Sequence, residues 1–229
     1  MEWIGIVVFG LAAIFIGVLI GVIKNRKKDG GNTFDSTSHK VFKPANERAG
    51  TIGEQIAIRH LRPLLRDDEY LMSNILLPLK NGHKTEIDCV LISRKGIFCI
   101  EIKKWVGHIE GNDESEYWIQ RYDDLFEKDK KHRNPVKQNE AHCEILERIL
   151  RTDYQVDNVV MFIELEDDRD IDSKYVFTIK SFPNYYYELE DEVYVPDIKT
   201  IYEKLLPYVA TPEELEAHKE ETRRRYGNN

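Results

Sequence analysis

Hydrophobic and polar positions divide the chain sharply. From Trp3 to Ile23 all 21 consecutive residues are uncharged and none is strongly polar. As a helix rising about 1.5 Å per residue, that run spans roughly 30 Å, the thickness of a bilayer core. Asp29 to Ala49 is polar, carries Gly30-Gly31 and lacks any period, the pattern of a flexible tether. Thr51 to Arg66 predicts a helix with Thr51 as N-cap, shortened or kinked by Pro63, in which Glu54, Ile58, Leu61 and Leu65 share one face. Lys84–Ile92 and Ile97–Lys103 alternate as strands around Ser93-Arg94-Lys95-Gly96, a hairpin signature. Asn134 to Arg151 predicts a helix with Asn134 as N-cap and Pro135 at its first position. Beyond it, Val159–Ile163 reads as a strand, Lys199–Val209 as a helix and Glu213–Tyr226 as a charged terminal helix, with Tyr185–Tyr187 between them. The expected divisions are an anchor at 1–23, a basic linker at 24–49, a domain at 50–210 and a charged tail at 211–229.

The apolar run is too long for a cleaved signal, whose core is about 7–15 residues, and Glu2 rather than a basic stretch precedes it. Lys24, Arg26, Lys27 and Lys28 follow it, so the positive-inside rule places the N-terminus outside and the C-terminal domain in the cytoplasm. The lipid bilayer is thus an expected partner through residues 3–23. Gly17 and Gly21 form a small-xxx-small step that could pair two anchors as a homodimer, although glycine is common in membrane helices for other reasons.

Charge narrows the chemistry further. The chain carries −8 overall and residues 1–49 carry +3, from seven Lys/Arg and four acids, which leaves −11 for residues 50–229. A domain of that sign does not hold nucleic acid by diffuse attraction and needs a local basic patch. Lys128, Lys130, Lys131, Arg133 and Lys137 put five cations within ten residues, with Trp105, Tyr117 and Trp118 as stacking candidates nearby. A solvated loop before a helix is the plain alternative. Three cysteines without a CxxC pair read as reduced packing residues.

Pairing Ile92 with Ile97 sets the hairpin's faces. Ile87, Cys89, Leu91, Phe98, Ile100 and Ile102 form an apolar face. The other face carries Val90, Ile92, Ile97 and Cys99 near the turn, with Asp88 opposite Glu101 and Glu86 opposite Lys103 at the far end. Opposed carboxylates with Cβ atoms about 5 Å apart repel unless a cation lies between them. An all-oxygen set suits Mg²⁺ or Mn²⁺, which bind through one or two carboxylates plus substrate phosphate, and Lys103 can stabilise phosphate charge or orient water. By itself Glu-x-Lys is a weak signal, and a Glu86–Lys103 salt bridge explains it equally. On the Asn134 helix, Gln138 and His142 share the face of Ile145 and Ile149. No His or Cys partner at ligand spacing supports zinc there.

These residues together resemble a known family. Gly50-Thr-Ile-Gly53-Glu54, Glu86-Ile-Asp88, Gly96-Ile-Phe-Cys-Ile-Glu101-Ile-Lys103, Gly107-His-Ile-Glu-Gly111 with Trp118, and Asn134-Pro135-x-x-Gln138-x-x-x-His142 occur in order. The series is similar to the nuclease-related domain, NERD, a branch of the PD-(D/E)XK nucleases, over about residues 50–150. The resemblance implies an α/β, restriction-endonuclease-like mixed sheet flanked by helices, here preceded by one transmembrane helix. It further implies Glu54 as the helical acid, Asp88 and Glu101 as metal ligands, Lys103 as the catalytic lysine and Gln138 as a supporting residue. The superfamily's Pro-Asp is here Ile87-Asp88, which leaves the aspartate in place.

The expected function is that of a membrane-anchored, Mg²⁺- or Mn²⁺-dependent nuclease acting on nucleic acid, with DNA favoured by the resemblance. A catalytically weak, membrane-tethered nucleic-acid-binding or scaffolding module is the second expectation. A membrane partner that retains the fold for stability alone is the least economical.

Overall fold

The computed structural model describes residues 52–122, 128–151, 155–165, 168–191 and 197–226. The anchor, the linker, the Gly17/Gly21 step and Thr51 lie outside the described residues. Among those described, no helix is long and apolar enough to cross a membrane.

In chain order the elements are α1 (Ile52–Leu61), β1 (Tyr70–Pro78), β2 (Lys84–Ser93), β3 (Gly96–Lys103), β4 (His108–Asn112), β5 (Tyr117–Arg121) and β6 (Lys130–Arg133). They continue with α2 (Pro135–Leu150), β7 (Val156–Phe162), β8 (Ile171–Asp172), β9 (Val176–Thr178), α3 (Phe182–Glu188), α4 (Ile198–Leu205) and α5 (Pro212–Tyr226). A five-stranded sheet runs β1-β2-β3-β7-β9 and a four-stranded sheet runs β6-β5-β4-β8. The first is mixed: β1–β2 and β2–β3 are antiparallel, whereas β3–β7 and β7–β9 are parallel. This is a mixed α/β arrangement with helices on the sheet, consistent with a nuclease-like fold.

Both faces of the main sheet are buried. On one, Cys143, Leu146 and Leu150 of α2 and Ile198, Ile201 and Leu205 of α4 pack over Met72, Val90, Ile92, Ile97 and Cys99. On the other, Ala57 and Leu61 of α1 and Phe182 and Tyr186 of α3 cover Leu71, Cys89, Leu91, Phe98 and Ile100. Helix α1 ends where Pro63 cannot continue it, in a short 3-10 turn at Arg62–Leu64. Helix α2 starts as its sequence indicates: Asn134 Oδ1 accepts from the N–H of Val136 at 2.9 Å and of Lys137 at 3.4 Å. The Tyr185–Tyr187 stretch forms part of α3.

The β2–β3 hairpin has the expected register, Ile92 with Ile97 and Cys89 with Ile100, but the ladder stops there. Two expectations fail at its open end. Ile87 packs in the cluster of Val90 and Ile92 and not with Cys89 and Leu91. Its partner Ile75 switches side in the same way relative to Met72, because β1 is kinked between them by Asn74 at φ 57°. A residue in left-handed conformation breaks the two-residue alternation, so positions beyond it exchange faces. Nor do Glu86 and Lys103 pair: Lys103 bonds to Glu101 and Glu86 lies by Lys219 of α5.

Two glycines of the Gly107–Gly111 segment are sterically required. Gly107 has φ 82°, and a Cβ there would come within 2.3 Å of Arg121 O. A Cβ on Gly111 would sit 2.3 Å from Trp118 Cδ2. Trp118 itself is fully buried beside Ile109, Val136 and Phe162, with its indole N–H given to Asn112 O at 3.0 Å. It is a core residue and cannot stack on a ligand, contrary to the expectation from sequence.

Candidate active site

Asp88 stands at the place where regular pairing breaks. Its Oδ2 accepts the N–H of Ile102 on β3 at 2.8 Å, which draws the carboxylate toward Glu101 and Lys103. Burial pushes its carboxyl well above the usual range, and the charges of Glu101 and Glu54 push it further. The Ile102 N–H and Lys103 oppose that rise without cancelling it. Glu54, buried on α1, therefore bears on Asp88 through space.

Glu101 is the hub. Only 5% exposed, its Oε1 accepts from Lys103 Nζ at 2.6 Å and from Gln138 Nε2 at 2.9 Å. Lys103 Nζ also lies 3.4 Å from Gln138 Oε1, which closes a triangle of polar contacts. Glu101 Oε2 faces His142 Nδ1 at 3.6 Å. The other imidazole nitrogen, Nε2, meets Thr85 Oγ1 at 3.0 Å. Burial holds His142 below the ordinary histidine value despite the attraction of Glu101, which favours the uncharged ring.

Helix α2 is fixed against these strands by Asn139, fully buried between Gln138 and His142 in sequence. Its Nδ2 donates to Cys99 O at 2.8 Å, Asn158 Oδ1 at 2.7 Å and Val159 O at 3.2 Å, and its Oδ1 accepts from Cys99 Sγ at 3.2 Å. Asn158 Nδ2 in turn donates to Val136 O at 2.9 Å. Cys89, Cys99 and Cys143 are free and buried; burial raises the Cys89 and Cys99 thiols well above their usual value, as suits packing residues.

Two residues that sequence reasoning leaves without a role join the cluster. Burial raises the Glu86 carboxyl, with Glu54 and Glu101 reinforcing the shift and Lys219 opposing it. Lys219 Nζ lies 4.0 Å from Glu86 Oε1, brought there because Leu215 of α5 is buried against Leu76 and Ala210. Glu86 is visible on the polar side of the hairpin; nothing in the sequence of a charged terminal helix singles out Lys219.

The donor set suits a hard divalent cation. Asp88 and Glu101 offer oxygen, and the Asp88 carboxyl, raised first by burial and then by the charge of Glu101, is in the condition that such an ion relieves. Among the described residues no three Asp, Glu, His or Cys side chains converge as a closed metal cage. An open arrangement of two carboxylates, completed by water and phosphate, is what Mg²⁺ ordinarily uses.

The basic residues lie on and beside β6, an edge strand of the second sheet. Lys130, Lys131, Arg133 and Lys137 are exposed, as is Lys128. Lys131 Nζ sits 3.9 Å from the Tyr117 ring centroid and Lys130 Nζ 4.9 Å from that of Tyr122, so these aromatics carry the cations. The Trp105 ring stacks on His132 at 4.1 Å and Lys103 Nζ lies 5.7 Å from the Trp105 centroid. Burial and the charges of Lys103 and Lys130 lower the His132 ring's proton affinity, so the strand and the carboxylate site share one electrostatic environment.

Residues 49–163 match the family model described as the nuclease-related domain, NERD. A Bacillus anthracis protein described as uncharacterized is 30% identical over 101 residues, which are 44% of this chain and 46% of that relative. The chain thus spans about half the length of the curated relative it matches. No solved structure matches it.

Proposed function

We propose, from the premise that this chain belongs to the nuclease-related domain family, that its domain hydrolyses nucleic-acid phosphodiesters with Mg²⁺ or Mn²⁺, DNA being the favoured substrate. The observation that carries the reading is the Glu101 carboxylate held by Lys103 and Gln138 next to the charge-crowded Asp88. Asp88 and Glu101 would hold the metal, which when bound supplies Lewis-acid polarisation and an acidified water. Lys103 keeps a cation beside the carboxylates, where it can stabilise charge on a phosphate or orient the attacking water. Gln138 keeps Glu101 in place, and Glu54 adds to the negative potential that attracts a dication. The Trp105–His132 stack and the Lys130–Arg133 strand would receive the phosphate backbone beyond the cleavage point.

We further propose that Trp3–Ile23 anchors the chain in a membrane with residues 24–229 on the cytoplasmic side, supported by the apolar run and the four cations after it. The test is cleavage of labelled linear, circular and single-stranded DNA and of RNA by the detergent-solubilised chain, with and without Mg²⁺ or Mn²⁺. Cleavage that needs metal and falls by about 100-fold or more in Lys103→Ala supports the enzyme. Metal-independent nucleic-acid binding without cleavage supports a tethered binding module instead.

A further inference from the structure

Helix α2 places a side chain against each oxygen of one carboxylate. Gln138 and His142 are one turn apart on it, so they project from the same face. Gln138 Nε2 reaches Glu101 Oε1 at 2.9 Å, and His142 Nδ1 faces Glu101 Oε2 at 3.6 Å. The His142 side chain is only 8% exposed, its Nδ1 is buried without a hydrogen-bond partner among the described residues, and the carboxylate it faces is that of Glu101. A buried imidazole lone pair aimed at a carboxylate oxygen is repulsive, whereas an N–H aimed there is attractive. The favourable tautomer therefore carries its proton on Nδ1, and Nε2 then accepts from the Thr85 hydroxyl at 3.0 Å.

We infer that His142, favoured in its Nδ1–H form by the Glu101 carboxylate and held at Nε2 by the Thr85 hydroxyl, is a positioning residue for Glu101. It restrains Oε2 while Lys103 and Gln138 restrain Oε1, so that the carboxylate presents a fixed orientation to a divalent cation. Partners that orient a ligating carboxylate typically govern metal affinity by about 10–100-fold. Asn139 makes the arrangement rigid, since its bonds to Cys99 O and Val159 O tie α2 to the strand that carries Glu101 and to its parallel neighbour. The inference rests on the proposed role of Glu101 in metal binding.

The test is Mn²⁺ affinity, measured by calorimetry on the full chain in detergent, for His142→Ala, His142→Asn, His142→Gln and Thr85→Val. An asparagine amide N–H can stand near the place of Nδ1–H, whereas a glutamine amide stands nearer Nε2. The expected result is about a tenfold or greater loss in His142→Ala and His142→Gln, substantial rescue in His142→Asn, and an intermediate loss in Thr85→Val that Thr85→Ser restores. Pulsed EPR of the bound Mn²⁺ should show no nitrogen coupling from His142. A nitrogen coupling that disappears in His142→Ala would mean that the ring ligates the metal directly and would overturn the positioning role. Equal losses in the alanine and asparagine variants would mean a merely structural contribution and overturn it too. If His142→Ala does not fold, the Thr85 pair decides: equal affinity in Thr85→Val and wild type overturns the inference. Wild-type affinity in a folded His142→Ala overturns this inference alone, whereas a wild-type chain that binds no Mn²⁺ overturns the metal reading beneath it.

Discussion

Asn74 lies opposite Asp88 in the β1–β2 register, between the pairs Ser73–Cys89 and Ile75–Ile87, and its φ of 57° is where the sheet loses its regular alternation. Next to the kink the Asp88 carboxylate accepts the Ile102 N–H, and beyond it Ile75 and Ile87 lie on the other side. The Asn74 carbonyl also accepts from Ala210 N–H at 2.9 Å, which ties the kink to the segment leading into α5. A strained position thus links the acid, the hairpin and the terminal helix.

Replacing Asn74 tests that link. Asparagine tolerates the left-handed region and β-branched residues do not, so Asn74→Val should lower stability by about 1–3 kcal/mol and Asn74→Gly by less. Urea denaturation of the two variants measures the difference. A valine variant as stable as the glycine variant would show that the backbone conformation at this position is not a constraint.

The crowded carboxylates make a pH prediction. Because the Asp88 carboxyl titrates above its unfolded value of about 3.9, the native state holds this proton more tightly than the unfolded chain does. The stabilisation is therefore complete below that unfolded value and is lost as pH rises through the raised native one. Asp88→Asn removes the loss and can still accept from Ile102. In EDTA its Tm should match wild type near about pH 4 and exceed it at about pH 7.5, and Mg²⁺ should narrow the gap by stabilising wild type alone. A gap that does not change with pH counts against a carboxyl raised by burial and by the neighbouring acids.

The basic strand predicts a salt dependence. In an Asp88→Asn background, which separates binding from cleavage, replacing Lys130, Lys131 and Arg133 by alanine should reduce the slope of log K against log salt. The reduction is about one unit for each phosphate that the variant no longer neutralises. Fluorescence anisotropy with a labelled duplex at several salt concentrations measures it, and an unchanged slope would place the nucleic-acid path elsewhere.

Asn139 should be among the most costly polar positions. Asn139→Leu leaves Cys99 O, Val159 O and Asn158 Oδ1 without their buried donor, a loss of about 1–3 kcal/mol for each group that stays unsatisfied. We expect lowered stability in urea together with weakened Mn²⁺ binding, because the same bonds hold Gln138 and His142 in place. Loss of stability with metal affinity intact would separate the fold from the site.

Much of this arrangement is legible along the chain because the interactions behind it are short-range. The Asn134 cap with Pro135, the break at Pro63 and the Ser93–Gly96 hairpin follow from local backbone chemistry, and so the helices and the β2–β3 register can be read from neighbouring residues alone. The same holds for Gln138 and His142 on one helix face, since about 3.6 residues per turn decides it. Elements whose patterns are weaker, β1 above all, are not evident, because Tyr70–Pro78 is buried almost throughout and shows no alternation to read.

Tertiary structure alone decided which of these residues meet. The left-handed turn at Asn74 breaks the two-residue period, so no continuation of the hairpin register could place Ile87 on its actual face or deny Glu86 its expected partner. Trp118 is polar-ended and lies near a basic stretch, yet the close approach of Gly111 gives it a core position. Lys219 reaches Glu86 only because Leu215 docks its helix on Leu76. Local propensity depends on a few adjacent dihedrals and is written in sequence; convergence of Asp88, Glu101, His142 and Lys219 depends on a kink, a helix docking and a sheet crossover, whose energies come from packing between residues far apart in the chain.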